Sequence, residues 1–92
     1  MKTVKLFYLK QCPHCKKAMA ILEELLKKEE YSGGEIVRIE ESLQPEIANQ
    51  YDYYYVPTFY VDEKKICEGI LQEKDILEVL NQAVKEFDFF VF

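Results

Sequence analysis

A Cys-Pro-His-Cys stretch at residues 12–15 constrains the fold of this chain more than any other feature of its sequence. Residues 3–9 before it are apolar on both alternating faces apart from Lys5, which predicts a strand that is covered on both sides. Residues 16–30 after it have apolar positions at three- and four-residue spacing, which predicts an amphipathic helix. Two cysteines at a strand-to-helix junction are typical of a redox-active dithiol site.

Size, charge and cysteine content limit the classes of protein to which this chain can belong. The chain has 92 residues, which predicts one domain over residues 1–92 with a core of modest size. Its net charge of −5 argues against nucleic acid as a partner, because phosphate binding needs a basic surface. Three cysteines are too few for a disulfide-stapled secreted scaffold, and no apolar run approaches membrane-spanning length. A strand that begins at residue 3 leaves no room for a signal peptide, so we expect a soluble cytoplasmic protein with no membrane association.

Apolar segments alternate with turn-forming residues in the rest of the chain. They predict further strands over residues 35–40, 56–61 and 65–68, and a short helix over residues 44–51. A last helix is predicted from Gln72 onwards. The order is βαβαββα, and the short strand–helix–strand connection at the start predicts that the first two strands are parallel. We therefore predict an α/β fold with a four-stranded mixed sheet flanked by three helices.

This chain resembles the thioredoxin superfamily in its small glutaredoxin-like form. Two motifs carry the resemblance, Cys12-x-x-Cys15 and Val56-Pro57-Thr58, and it covers nearly the whole chain. It implies a thioredoxin-like fold and a thiol–disulfide oxidoreductase whose two motif cysteines cycle between dithiol and disulfide. It also implies a cis peptide bond before Pro57.

The two motif cysteines are expected to have different roles. Cys12 lies at the predicted amino terminus of the helix, where unpaired N–H groups and the helix dipole stabilise a thiolate, so it is the candidate nucleophile. Lys10 and His14 are expected to lower its pKa further, and Pro13 to stiffen the turn. Cys15 should be more buried and should resolve the mixed disulfide between Cys12 and the substrate. A stabilised thiolate favours the reduced protein, so we expect a comparatively oxidising couple.

By resemblance, the substrate lies along the loop before Pro57. The backbone of Val56 is then expected to pair with an extended segment of the substrate, as an added strand. Tyr55, Gly69 and Ile70 complete the candidate substrate-binding residues.

The nature of the substrate is less well determined by the sequence. Glutaredoxins place a lysine three residues before the first cysteine, whereas Lys10 lies two residues before it. They also carry a Gly-Gly pair and an acidic pair after the fourth strand, where this chain keeps only Gly69. Ile70 and Leu71, beside the tyrosines at residues 53–55, predict an apolar surface suited to a protein. We therefore expect disulfide-containing proteins or a thiol reductant as partners and no resident cofactor, with glutathione as co-substrate the alternative.

Several further interpretations stay open. The motif thiols could bind zinc or an iron–sulfur cluster, although the sequence assigns no complete ligand set, or the fold could serve as a binding module without a redox cycle.

The predicted first strand contains no Asp or Glu, so the buried acid that thioredoxins carry beneath their motif is missing. Cys67 is interpreted as an ordinary small apolar side chain. The apolar residues 87–92 are expected to pack on the sheet in a monomer, or else to form a dimer contact.

Overall fold

A four-stranded sheet forms the centre of the structure, a computed structural model that describes residues 1–85. Its strands are β1 (Val4–Tyr8), β2 (Ile36–Glu40), β3 (Thr58–Val61) and β4 (Lys64–Glu68), in the spatial order β2-β1-β3-β4. β1 is parallel to β2 and antiparallel to β3, and β3 is antiparallel to β4. The predicted mixed sheet is confirmed.

The helices are α1 (Pro13–Leu26), α2 (Pro45–Ala48) and α3 (Glu73–Val84). With them the predicted order βαβαββα is confirmed. α1 begins at Pro13 directly after Cys12, as the expected position of Cys12 at the amino terminus of the helix requires, because a proline needs no N–H partner in a first helical turn. It ends earlier than predicted, since the last residues of the predicted helix form a separate 3₁₀ turn at Glu29–Tyr31. The aromatic residues 87–92 lie outside the described residues, so their packing and the dimer contact stay predictions.

Apolar side chains cover both faces of β1. Val4 and Leu6 are fully buried in the larger core, together with side chains of α1, α3 and β3 such as Leu22. Phe7 points to the other face, where it packs with Ile39 and with residues of the segment that includes α2. The prediction of a strand covered on both sides is therefore confirmed, and this strand holds the start of α1 in place.

The strand register brings several loops to one edge of the sheet. Tyr8, the last residue of β1, pairs with Glu40 at the end of β2. Phe7 pairs with Thr58 at the start of β3, and Thr58 in turn pairs with Glu68 at the end of β4. The connection from β1 to α1 and the loop that precedes β3 therefore leave the sheet at the same edge.

No helix within residues 1–85 is long and apolar enough to cross a membrane. The cytoplasmic location that the sequence suggests stays a prediction.

Candidate active site

Cys12 occupies the position immediately before α1. Its backbone is extended, with φ −79° and ψ 120°, and its carbonyl oxygen accepts the first helical hydrogen bond from Lys16 N at 3.0 Å. Its own N–H donates to Leu9 O at 3.2 Å, which closes the loop after β1. The half-buried thiol is thus held beside the unpaired N–H groups of the first helical turn.

Cys15 lies one turn further along α1, on the face that packs against the sheet. Its side chain is fully buried, whereas Cys12 is only partly buried. Both thiols are free, so the structure represents the dithiol form of the site.

The surroundings of Cys12 lower its pKa. Burial acts in the opposite direction, but it is outweighed by a hydrogen bond from the Cys15 thiol and by the backbone N–H groups of Cys15 and His14. Cys12 makes no short side-chain capping hydrogen bond, so these N–H groups act on the sulfur at longer range. The exposed side chains of His14 and Lys10 are not among the groups that lower this pKa within residues 1–85, and their tuning role stays a prediction.

The surroundings of Cys15 have the opposite effect. Burial raises its pKa to about 12, and the neighbouring Cys12 and Glu41 raise it as well, against a lowering contribution from the backbone of Leu9. At neutral pH the first thiol therefore loses its proton more readily than the second. This difference is the one expected if Cys12 acts as the nucleophile and Cys15 keeps its proton.

Glu41 is a site residue that the sequence analysis missed. It follows β2 directly, and its N–H donates to Tyr8 O at 3.0 Å, beside the end of β1. Its half-buried carboxylate accepts a hydrogen bond of 2.7 Å from the Tyr53 hydroxyl and raises the pKa of Cys15. The expectation that the buried acid of thioredoxins is missing referred to the first strand alone, and β1 indeed contains no Asp or Glu. Glu41 could have been found from the predicted parallel pairing of β1 with β2, because this pairing places the residue after β2 beside the end of β1.

A second glutamate holds the loop before Cys12. The carboxylate of Glu40 accepts the backbone N–H of Lys10 at 3.0 Å, and the N–H and hydroxyl of Ser42 at 2.7 and 2.6 Å. The hydrogen bonds from Ser42 and from Lys10 lower the pKa of Glu40. Lys10 is therefore placed at the site through its backbone. An open cleft of about 600 Å³ next to Cys12 is lined by Leu9, Lys10, Gln11, Cys12, Glu40, Ser42 and Leu43.

The predicted substrate-binding loop precedes β3. The Val56–Pro57 peptide bond is cis, with Pro57 buried and Val56 half-buried. The Pro57 carbonyl accepts a hydrogen bond of 2.9 Å from Gly69 N. Gly69 has φ +94°, a conformation that a residue with a Cβ rarely adopts, so this contact depends on the glycine.

Exposed apolar side chains gather at this edge of the molecule. Within residues 1–85, four of the five exposed large apolar side chains lie on its loops: Leu43, Tyr54, Tyr55 and Ile70. The predicted apolar surface is wrong in two members. Leu71 is only 4% exposed and packs in the larger core, whereas Ile70 is 71% exposed. Tyr53 is half-buried and packs against Phe7. Leu43, which the sequence analysis did not single out, lies in the loop after β2 and lines the cleft next to Cys12.

The third cysteine has different surroundings. Cys67 lies on β4, partly buried against the larger core, and burial followed by the nearby Asp75 raises its pKa to about 12. These surroundings fit the small apolar side chain that was predicted. Within residues 1–85 no group of three or more His, Cys, Asp or Glu side chains is placed to hold a metal ion.

Comparison with known proteins identifies the family. A family model described as a thioredoxin domain matches residues 2–81. The chain belongs to the thioredoxin family. No match is found among curated proteins. A thioredoxin-family fold that brings two cysteines together supports a thiol–disulfide oxidoreductase.

Solved structures of thioredoxins share the fold. The thioredoxin Mala s 13 of Malassezia sympodialis has a TM-score of 0.74 at 18% identity, over 90% of this chain and 75% of its own. Mitochondrial thioredoxin 3 of Saccharomyces cerevisiae, in its oxidised form, has a TM-score of 0.69 at 24% identity, over 88% of this chain and 77% of its own. The thioredoxin of Fasciola hepatica has a TM-score of 0.69 at 22% identity, over 88% and 79% of the two chains. The predicted thioredoxin-like fold is confirmed.

Proposed function

We propose that this thioredoxin-family protein exchanges disulfides with other proteins through Cys12 and Cys15. The observation that carries the proposal is the placement of the two thiols, with Cys12 partly buried immediately before α1 and Cys15 fully buried one turn further along the helix. In agreement with this placement, the pKa is lowered at Cys12 and raised to about 12 at Cys15. One thiol is thereby prepared to attack, while the other keeps its proton until a mixed disulfide has formed.

In the reductive direction, the Cys12 thiolate attacks one sulfur of a substrate disulfide. A bond forms between Cys12 and that sulfur, the substrate disulfide breaks, and the departing thiolate takes a proton from water. Cys15 then loses its proton and attacks the Cys12 sulfur, which closes the Cys12–Cys15 disulfide and releases the second substrate thiolate. Two electrons pass from the dithiol to the substrate, and an external thiol reductant restores the dithiol.

The reverse sequence oxidises a substrate dithiol. Stabilisation of the Cys12 thiolate stabilises the reduced protein, which favours this oxidising direction. The reduction potential of the Cys12–Cys15 couple, measured against glutathione, determines which direction the protein supports. A couple as reducing as glutathione or more so would contradict the oxidising bias.

A protein substrate is supported by the loop that precedes Pro57. Within residues 1–85, the N–H and C=O of Val56 make no hydrogen bond, so they are available to pair with an extended segment of another chain. The exposed side chains of Tyr55 and Ile70 lie on the two loops that the hydrogen bond from Gly69 N to Pro57 O joins, and they offer apolar contacts to a substrate. Exposed apolar side chains at one edge of the molecule are typical of a protein-binding site.

Glutathione as co-substrate is the alternative. The cleft of about 600 Å³ beside Cys12 has a volume that suits a small molecule, and Lys10 at its wall could attract a carboxylate. The exposed Ile70 stands where glutaredoxins carry their acidic pair, and it offers no partner for the amino group of glutathione.

Two assays separate these candidates. The proposal predicts that protein reduced with dithiothreitol accelerates insulin reduction and that Cys12→Ser abolishes the effect. It also predicts that Cys15→Ser loses turnover. If Cys15→Ser kept full activity on a mixed glutathione disulfide, the glutathione mechanism would be favoured instead. Stoichiometric iron or zinc in the purified protein would favour the metal-binding alternative.

A further inference from the structure

We propose that Glu68 is a positioning residue, which fixes the loop of residues 53–57 in the shape that receives a protein substrate. This inference rests on the proposed function, since it assigns a task to Glu68 in the binding of that substrate.

Glu68 is the last residue of β4, and its carboxylate reaches across to the loop. One oxygen, Oε2, accepts the backbone N–H of Tyr54 at 2.8 Å and that of Tyr55 at 2.9 Å. The other oxygen, Oε1, lies 2.5 Å from Lys65 Nζ. Two consecutive N–H groups of the loop therefore point at a single carboxylate oxygen, whose charge is balanced by a lysine on the same strand.

The loop has little else to hold it at these positions. Residues 51–57 form no helix or strand, and the side chains of Tyr54 and Tyr55 are 81% and 68% exposed. Burial of the two aromatic rings therefore does not fix the backbone. At Tyr54 and Tyr55 the backbone is held by the two hydrogen bonds to Glu68 and by a bond from the Thr58 hydroxyl to Tyr55 O. Tyr53 before them is held separately, by its hydroxyl bond to Glu41.

These contacts hold the loop on both sides of Val56. Glu68 accepts the N–H groups of the two residues before Val56. After Val56, the N–H of the neighbouring Gly69 donates a hydrogen bond of 2.9 Å to Pro57 O. The N–H and C=O of Val56, which make no hydrogen bond within residues 1–85, are left between the two fixed points. The end of β4 thus presents the Val56 backbone in one orientation, which lowers the cost of ordering the loop when an extended substrate pairs with it.

The carboxylate stays ionised under all physiological conditions. The hydrogen bond from Lys65, followed by those from the N–H groups of Tyr54 and Tyr55, lowers the pKa of Glu68 to about 2. The same Lys65 Nζ lies 6.0 Å from the centre of the Tyr54 ring, so the exposed ring is also drawn toward this corner.

Four variants test the proposal. Glu68→Ala removes the acceptor. Glu68→Gln keeps a carbonyl oxygen that can accept both N–H groups but loses the ion pair, and Lys65→Met loses the same ion pair while it leaves the carboxylate in place. Glu63→Gln is the matched control, because Glu63 belongs to the same hairpin but is 78% exposed and pairs with Lys5 at 3.2 Å.

The first measurement is amide hydrogen exchange at Tyr54 and Tyr55 by NMR in the folded protein. We expect Glu68→Ala to accelerate exchange at these two amides by about tenfold or more, because a hydrogen bond to a charged acceptor is lost. Glu68→Gln, Lys65→Met and Glu63→Gln should stay near the wild-type rates. Unchanged exchange in Glu68→Ala would overturn the proposal, and so would equal acceleration in Glu68→Gln.

The second measurement compares two substrates, insulin and the small disulfide 5,5′-dithiobis(2-nitrobenzoate). We expect Glu68→Ala to raise KM for insulin about tenfold with little change in kcat, while its reaction with the small disulfide stays within about twofold of wild type. Glu68→Gln should restore most of the insulin KM. An equal loss on both substrates, or an unchanged insulin KM, would overturn the positioning role.

The two measurements also separate this inference from the proposed function. Suppose that the wild-type protein failed to reduce insulin while the amide exchange pattern was as expected. The proposal of a protein substrate would then be refuted, and the contact by which Glu68 fixes the loop of residues 53–57 would be supported. If insulin reduction required Cys12 but did not depend on Glu68, the proposed function would stand and the inference would be refuted.

Discussion

Cys12 and Cys15 lie one helical turn apart, yet the protein moves their pKa values in opposite directions. Cys12 precedes α1, where N–H groups and the second thiol stabilise its thiolate. Cys15 follows on the buried face of the same helix, where the loss of water and the nearby Glu41 disfavour its thiolate. The difference shows that the end of a helix and its first buried position supply two chemical environments at a spacing of three residues. Substitutions at several residues, and a change of pH, test this division of roles.

The largest effect is expected from removal of either thiol. Cys12→Ser should abolish reaction with disulfides, since no second thiolate forms at neutral pH. Cys15→Ser should still react once but should then accumulate a mixed disulfide with the substrate, visible as an added mass by intact mass spectrometry. Cys67→Ser is the matched control, and it should keep wild-type activity because that cysteine packs against the core. Loss of activity in Cys67→Ser alone would contradict this assignment.

Acidification tests the surroundings of Cys12, because the Glu40 carboxylate holds the loop before Cys12 by accepting a hydrogen bond from Lys10 N. The folded pKa of Glu40 is lowered, so its contribution to stability is present above its ordinary pKa of 4.5 and is lost as the pH falls toward the lowered value. We expect the free energy of unfolding, measured by denaturant titration, to fall through this range. Glu40→Gln should flatten that dependence, whereas Glu46→Gln on the exposed side of α2 should leave it unchanged. An identical pH dependence in Glu40→Gln would contradict the role of this carboxylate.

A substitution of Glu41 tests the surroundings of Cys15. Its negative charge raises the pKa of Cys15, so Glu41→Gln should lower that pKa while the buried position keeps it above the ordinary value. The amide oxygen can still accept the Tyr53 hydroxyl, which limits the change to charge. The pKa is read in a Cys12→Ser background by the rate of alkylation against pH. A higher pKa of Cys15 in Glu41→Gln would show that the charge does not act in this way.

The smallest effect is expected from His14. Its contribution to the pKa of Cys12 comes through the backbone N–H, which an alanine retains. His14→Ala should therefore raise the pKa of Cys12 only slightly, as followed by thiolate absorbance. A rise of a full unit or more, about 1.4 kcal/mol, would instead support the tuning role that the sequence suggests for the imidazole.

Local patterns were sufficient to predict the order of strands and helices along the chain and the place of the two cysteines at the start of α1. The apolar run of β1, the cysteine spacing and the apolar face of α1 each depend on residues that are neighbours in sequence, so they can be recognised in the sequence alone. The helix boundaries were less accurate. The start of α1 directly after Cys12 was expected, whereas the predicted end at residue 30 was too late, since α1 ends at Leu26 and a separate 3₁₀ turn follows.

The residues that were missed act across strands. Glu40 and Glu41 follow β1 in sequence by about thirty positions and reach the site only because β2 pairs in parallel with β1. Glu68 reaches the loop before β3 through the antiparallel pairing of β3 with β4. Leu71 was placed on the surface beside Ile70, although successive residues of a loop can point to opposite sides, and here the second one enters the core. Such placements depend on the pairing of strands, which a local pattern does not encode.

The most direct test of the difference between the thiols is their separate titration. Ultraviolet thiolate absorbance is followed against pH in the Cys67→Ser protein, and mass spectrometry after brief alkylation at neutral pH identifies the labelled cysteine. We predict that one thiol titrates below the ordinary value of a cysteine and is labelled at Cys12, and that the second titrates near 12 and corresponds to Cys15. Two thiols that titrate together at the ordinary value, or preferential labelling of Cys15, would contradict the account.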